Sequence, residues 1–255
     1  MTERYTDKKY LVSLTSGGGS TFGAIAESSL SGELHRSIRV VGMIASRDGI
    51  GSIEKAKRLS IPFEVLDRRM FPKGTRGDEQ YGRALLALLN VWSPDIVTQN
   101  GWLVRTPPLV IDEVGEIYNQ HPAPLDPANR DAYGKALHFG GKGIYGSAPH
   151  AAVLEFQRRT DRRFPTEATV HRVTSEFDDG AVVYRQQVMV EDGDTPESLQ
   201  QRVLPVEHAA QIAFLRQFAR NEVAVQKRDE PLVKPWEEID LWASLEYARQ
   251  QYPNG

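Results

Sequence analysis

The patterned part of the chain opens with "YLVSLTS" (Tyr10 to Ser16), a β-rich apolar run that stops at "GGGST". Beyond the glycines, "FGAIAESSL" spaces its apolar positions at helical intervals, so strand, glycine turn and helix begin a βαβ unit. "RVVGMIAS" (Arg39 to Ser46) predicts a second buried strand, "SIEKAKRLS" a helix and "PFEVL" a short strand. In "DEQYGRALLALLNVW", Tyr81, Leu85, Leu88, Leu89 and Trp92 fall on one helical face. "DIVTQN" (Asp95 to Asn100) and "EIYNQH", which ends at His121, read as two further strands. Strands alternating with helices predict an α/β fold: a Rossmann-like, mainly parallel open sheet with helices on both faces.

The rhythm changes after His121. Residues 122–148 are rich in Pro, Gly and Ala and predict a long irregular loop, a feature that in compact domains tends to carry function. "HAAVLEFQRR" is helical, and "EATVHRVT" and "AVVYRQQVMV" alternate in period two across "SEFDDG", predicting a late antiparallel hairpin. "DTPESLQQRV" starts a long helix, with Asp194 or Thr195 as its cap, Pro196 in its first turn and Glu197 at the positive dipole end. Pro205 is expected to kink it. "PWEEIDLWASLEYARQQ" predicts a terminal helix. The expected organisation is one α/β domain over residues 1–224 and a helical C-terminal extension over 225–255 packed on it.

Composition narrows the chemistry. A formal net charge of −3 provides no field for nucleic acid, and the densest basic cluster, "RRTDRR" (Arg158 to Arg163), reads as a solvated helix end. The absence of cysteine excludes disulfides, zinc–thiolate sites and a cysteine nucleophile together. No apolar run approaches the ~18 residues of a membrane span, and the polar start "MTERYTDKKY" lacks the apolar core of a secretory signal. A cytoplasmic protein with small-molecule partners, and neither nucleic acid nor membrane among them, is the expectation.

Three features carry candidate chemistry. "SGGGST" (Ser16 to Thr21) joins a strand to a helix, so its backbone N–H groups and the helix dipole suit a phosphate. It is neither the dinucleotide fingerprint, since Phe22 occupies the last glycine's position, nor a P-loop, since no Gly-Lys-Ser/Thr follows. Asn119 and His121 are two apart on a strand, so they share a face at the strand's carboxyl end, where open α/β sheets bind their ligands. An amide donor and a titratable ring there suit a carbonyl oxygen that becomes negative. "SEFDDG" is an ordinary acidic turn by itself, but a carboxylate from it beside His121 would raise that ring's pKa and orient it. His171, on the strand segment before it, is a candidate for the same crevice.

Taken in this order, the motifs resemble the folate-dependent formyltransferases, closest to the branch acting on glycinamide ribonucleotide. The resemblance rests on "SGGGST", "NGWLVRTPP" (Asn100 to Pro108), "NQHP" (Asn119 to Pro122), "TVHRVTSEFDDG" (Thr169 to Gly180) and "GDTPESLQQRVLPVEH" (Gly193 to His208). It implies direct transfer of a formyl group from 10-formyltetrahydrofolate to an amine, with no metal, by a monomer or homodimer. It further implies that Asn119 hydrogen-bonds the formyl oxygen, that His121 is general acid and oxyanion stabiliser, and that Asp178 raises the pKa of His121. Gly19, Ser20 and Thr21 would hold the acceptor's phosphate and Glu207 its ribose. Leu103, Val104, Arg105 and Thr106, with the turn from Thr174 to Asp178, would surround the pterin. The chain departs from the family at Thr21 (usually Asn), Val104 (usually Arg), Leu204 (a Gln near the ribose) and "HPAPLDPANRD" (usually His-Pro-Ser-Leu-Leu-Pro). Most of these changes concern the acceptor, which keeps two alternatives open: another amine, such as an amino sugar nucleotide or secondary metabolite, and a non-catalytic folate- or nucleotide-binding relative.

Overall fold

The computed structural model describes residues 8–254; residues 1–7, most of the polar start, and residue 255 lie outside the described residues. Seven strands form one sheet: β1 (Lys9–Thr15), β2 (Ile38–Ala45), β3 (Phe63–Val65), β4 (Ile96–Gln99), β5 (Ile117–His121), β6 (Thr166–Arg172) and β7 (Val182–Val188). Their order across the sheet is β3-β2-β1-β4-β5-β6-β7. β1 pairs in parallel with β2 and β4, and β4 with β5, whereas β6 and β7 form the antiparallel hairpin. Leu11 to Thr15 of β1 are all buried, which explains why this strand reads as an apolar run and not as an alternation. The helices around the sheet are α1 (Ser20–Ser31), α2 (Gly51–Arg58), α3 (Thr75–Trp92), α4 (Pro108–Val114), α5 (Ala148–Thr160), α6 (Pro196–Ala219) and α7 (Glu238–Gln251). Among the described residues, no helix is long and apolar enough to cross a membrane.

Two short elements were not expected: α4, and a single 3-10 turn at Arg68–Met70, where the Asp67 side chain accepts from the Arg69 amide. Along α3, Tyr81, Leu85 and Leu89 are buried, while Leu88 and Trp92 are only partly so. α6 runs on through Pro205, which lacks the N–H for one helical bond. Thr195 Oγ1 caps its start by accepting from Ser198 N at 3.2 Å.

By packing, the described chain resolves into two compact units. The first holds the described residues through Asn119 together with Gln211–Val223, and the second holds Gln120–Ala210 with the tail from Ala224. In the first, Phe22, Ala26, Met43, Ile50, Ile53 and Ile61 form a core between β2, α1 and α2. In the second, α7 packs on α5: Leu241, Leu245 and Ala248 join Phe139, Val153 and Phe156. The Phe139 and Phe156 rings meet edge-on at 5.2 Å.

One backbone irregularity in the first unit has a packing cause. Leu11 pairs with Val40 but Val12 pairs with Gly42, so Val41 is a bulged extra residue on β2. Gly42 lies flat under Trp92, and a Cβ there would fall 2.5 Å from the indole. Gly42→Ala is therefore expected to lower unfolding stability by ~1–3 kcal/mol, the range for overpacking. Urea denaturation tests this, and a midpoint equal to the parent's would contradict it.

Candidate active site

The glycine turn is built for close approach. Gly19 has φ 64°, and a Cβ on it would lie 2.5 Å from Ser52 Cβ, so only glycine fits. Gly17 and Gly18 instead face open space, and a Cβ on either would meet no atom within 4 Å. The turn is held by Ser52 N donating to Gly17 O at 3.1 Å, Lys55 Nζ donating to Gly18 O at 2.7 Å and Ser16 N donating to Gly101 O at 3.1 Å. The first intrahelical donor of α1 is Gly23, to Gly19 O, so the amides of Ser20, Thr21 and Phe22 precede the helical ladder. Such an N-terminus carries partial positive charge, and here it lies beside the open space at Gly17 and Gly18.

The segment leaving β4 lies in the same unit. Asn100 is buried and its Oδ1 accepts from Ser13 Oγ at 2.7 Å and Thr98 Oγ1 at 3.0 Å. Beyond it Leu103 and Arg105 are exposed and Val104 is half-buried. Thr106 turns inward, its hydroxyl accepting from Gln99 Nε2 at 2.6 Å. Asn119, on β5, is half-buried and pairs in register with Gln99.

In the second unit a buried carboxylate gathers imidazoles. Asp178 lies in the β6–β7 connection with φ 57°, a left-handed conformation uncommon outside glycine. Its Oδ2 is 3.6 Å from His121 Nδ1 and accepts from Gly141 N at 2.8 Å, and its Oδ1 is 3.4 Å from His171 Nε2. Thr174, earlier in the connection, is exposed, and Asp179 points away to pair with Arg130 at 2.9 Å. Burial works to raise the Asp178 carboxyl, but His121, His171 and the Gly141 amide together hold it well below the usual carboxylate range. Asp178 is an anion at neutral pH.

His121 behaves differently from the expectation. Burial lowers its pKa below the ordinary 6.5, and this outweighs the upward pull of Asp178 and of the Phe139 carbonyl. The net rise expected from a neighbouring carboxylate is thus corrected to a net fall, because the residue is 3% exposed. Its tautomer follows from its partners. His121 Nε2 lies 2.7 Å from Phe139 O, and a carbonyl only accepts, so Nε2 bears the hydrogen. The lone pair of the neutral ring then sits on Nδ1, facing Asp178. A proton arriving at Nδ1 converts two opposed acceptors into a charge-assisted contact. The arrangement is a proton acceptor whose charged form is stabilised in advance.

Three participants were not visible in the sequence. His138 is buried, its Nδ1 accepts from Gly140 N at 3.0 Å, and burial pulls its pKa down to about 3. His150, in the first turn of α5, is fully buried with both ring nitrogens lacking a hydrogen-bond partner, and burial followed by the charge of His121 lowers it to about 4. Gln120 is buried, and its amide Nε2 donates to Glu207 Oε1. Burial pushes the Glu207 carboxyl up to about 7, with the Gln120 amide pulling it back. His138 lies in the irregular loop, His150 is the first residue of the helical "HAAVLEFQRR", where no pattern says which way its ring turns, and Gln120 is the inconspicuous second residue of "NQHP". Among the described residues, no group of three or more His, Asp or Glu is arranged to hold a metal ion.

Similarity to known proteins extends over most of the chain. A family model described as "Formyl transferase" matches residues 9–215. The chain is 31% identical over 230 residues to the chloroplastic phosphoribosylglycinamide formyltransferase of Arabidopsis thaliana, covering 89% of this chain and 71% of that one. It is 29% identical over 221 residues to the trifunctional purine biosynthetic protein adenosine-3 of Gallus gallus, over 86% of this chain and only 19% of that one. The crystal structure of phosphoribosylglycinamide formyltransferase from Brucella melitensis superposes with a TM-score of 0.67 at 26% identity, over 86% of this chain and all of that one (100%).

The buried neutral rings make acid stability a test of the site. His150 has a folded-state pKa of about 4 against 6.5 unfolded, so between those values the unfolded chain binds more protons and stability falls as pH drops. His150→Leu is expected to shrink the loss of unfolding free energy between pH 7 and pH 4 by ~3 kcal/mol. Urea melts at both pH values measure it, and parallel pH dependences in the two proteins would contradict it.

Proposed function

The chain belongs to the formyl transferase family, and on that premise we propose that it transfers the formyl group of 10-formyltetrahydrofolate to the amine of glycinamide ribonucleotide, a step of purine synthesis. The observation that carries the reading is the buried Asp178 anion 3.6 Å from His121 Nδ1, with Asn119 two residues earlier on β5. In such a transfer the amine adds to the formyl carbon, the carbonyl oxygen becomes negative, and the bond to the folate nitrogen breaks as that nitrogen gains a proton. Asn119 donates its amide N–H to the oxygen as charge builds there, where a preset donor contributes most. His121 takes up the proton that the amine loses, and Asp178 offsets the charge of the imidazolium. The same ring is then the acid that protonates the leaving nitrogen. Burial keeps the ring neutral beforehand, which is the form that can accept.

The remaining roles follow the same reading. Gly19, Ser20 and Thr21 hold the phosphate of the acceptor at the start of α1, a fit supported by the open space beside Gly17 and Gly18. Glu207 accepts from the ribose. Leu103, Val104, Arg105 and Thr106, with Thr174 and Asp178, border the pterin, largely through backbone groups.

Incubation with 10-formyltetrahydrofolate and glycinamide ribonucleotide, following loss of the formyl donor, tests the proposal. Turnover is expected, falling by ~10²-fold or more in His121→Ala and in Asp178→Asn, the range for loss of general acid–base catalysis. An unchanged rate in Asp178→Asn would remove that residue from the mechanism. Transfer to an amino sugar nucleotide alone would replace the acceptor, and folate binding without transfer to any amine would contradict an enzymatic role.

A further inference from the structure

Gln120 stands between the two residues that the proposed chemistry uses, and alternation along β5 sends its side chain to the other face. There it is buried, and it meets Glu207 on α6. Glu207 is 8% exposed. Among the described residues its carboxylate is bonded to the Gln120 amide alone, with no basic side chain paired to it. A carboxylate has roughly four acceptor positions, and burying one that is neither paired with a cation nor fully hydrogen-bonded is unfavourable. A position serving packing alone would be better filled by an aliphatic residue or an amide. The unused acceptor capacity is matched to a ligand that brings hydrogen-bond donors.

Neutral hydroxyls fit this demand. A phosphate brings only acceptors and would be repelled by the carboxylate, while a cation would be opposed by the amide N–H already directed at Glu207. Adjacent sugar hydroxyls suit the pair, because each can donate to a carboxylate oxygen. The helix brings no amide of its own to this spot: Leu204, three residues before Glu207 on the same face of α6, is aliphatic and half-buried. The orienting donor comes instead from β5.

We propose that Gln120 is a specificity-determining residue for the acceptor: it fixes the Glu207 carboxylate so that its remaining lone pairs read the vicinal hydroxyls of the acceptor's ribose. This rests on the phosphoribosyl-acceptor reading above and adds to it the residue that makes Glu207 selective. Gln120 acts through Glu207 and is a positioning residue, not a participant in bond-making. The arrangement also links recognition to chemistry along one strand, since the backbone that carries Gln120 carries Asn119 and His121 on either side.

Steady-state kinetics of the whole protein test it, with glycinamide ribonucleotide and its 2′-deoxyribosyl counterpart as acceptors. The parent is expected to prefer the ribosyl acceptor. Gln120→Leu should raise KM for that acceptor roughly tenfold, the size expected for losing a hydrogen bond to a charged group, with kcat and the folate KM within about twofold. The preference over the deoxyribosyl acceptor should collapse with it. Leu204→Gln added to Gln120→Leu should restore the preference by supplying the amide from the helix. In a Glu207→Gln background, Gln120→Leu should have little further effect, because the two residues act as one unit. An unchanged KM and preference in Gln120→Leu would overturn the inference while leaving the reaction intact. Equal changes in kcat and both KM values with a lowered Tm would overturn it too, assigning Gln120 to structure. If Gln120→Leu does not fold, the nearly isosteric Gln120→Met takes its place, and failure of both to fold overturns the inference. Absence of turnover by the parent with glycinamide ribonucleotide would overturn the reaction and the inference together.

Discussion

A carboxylate taken out of water survives as an anion only where donors or positive charge compensate it: Asp178 accepts from the Gly141 amide, has His171 beside its other oxygen, and gains a counter-charge when His121 is protonated. His121, His171 and the Gly141 amide stand at 3.6, 3.4 and 2.8 Å from its oxygens. Much local structure exists to allow this. The left-handed backbone at Asp178 turns the side chain inward. Gly180 has no room for a Cβ, which would sit 1.8 Å from the Arg172 carbonyl oxygen. Gly140 lets the long loop approach so closely that a Cβ there would be 2.7 Å from Asp178 Cβ. The same loop supplies the Phe139 carbonyl that sets the tautomer of His121. A stretch without secondary structure is therefore pinned by its backbone to the two groups with most at stake in the chemistry.

Two buried carboxylates in this unit show how partners decide charge. Asp178 and Glu207 have nearly the same exposure, 9% and 8%. Asp178 faces two imidazoles and an amide and is held low, whereas Glu207 faces a single amide and is pushed up to about 7. Burial works in the same direction on both, so the difference is made by the neighbours. Separating two carboxyl groups in this way suits Asp178 to a permanent charge beside a proton carrier.

Much of this was legible in the residues. Strand, glycine turn and helix at the start, the period-two hairpin and the capped start of α6 all carry local signals that tertiary packing did not override. α4, seven residues of "PLVIDEV", is too short for a helical period to stand out from the loop before it. The partners of Asp178 were partly legible, because His121 and His171 sit on regular strands. His138 and His150 were not, because an irregular loop and a helix start present no pattern that predicts which way a ring turns. The sign of the His121 shift came out opposite to expectation for a related reason: charge proximity can be argued from motif order, but the depth of burial that outweighs it belongs to the packed fold. Gln120 carries no local signal either, because its partner lies 87 positions away on another element.

The central claim is that Asp178 stabilises a proton on His121 Nδ1 against a burial that disfavours it. A pH titration of the His121 ring nitrogens by NMR, in the parent and in Asp178→Asn, measures this directly. The account predicts an Nε2–H tautomer with a pKa below 6.5 in the parent and a lower value still once the carboxylate is neutralised. A pKa that stays the same or rises in Asp178→Asn, or a ring whose hydrogen sits on Nδ1 at neutral pH, would contradict it.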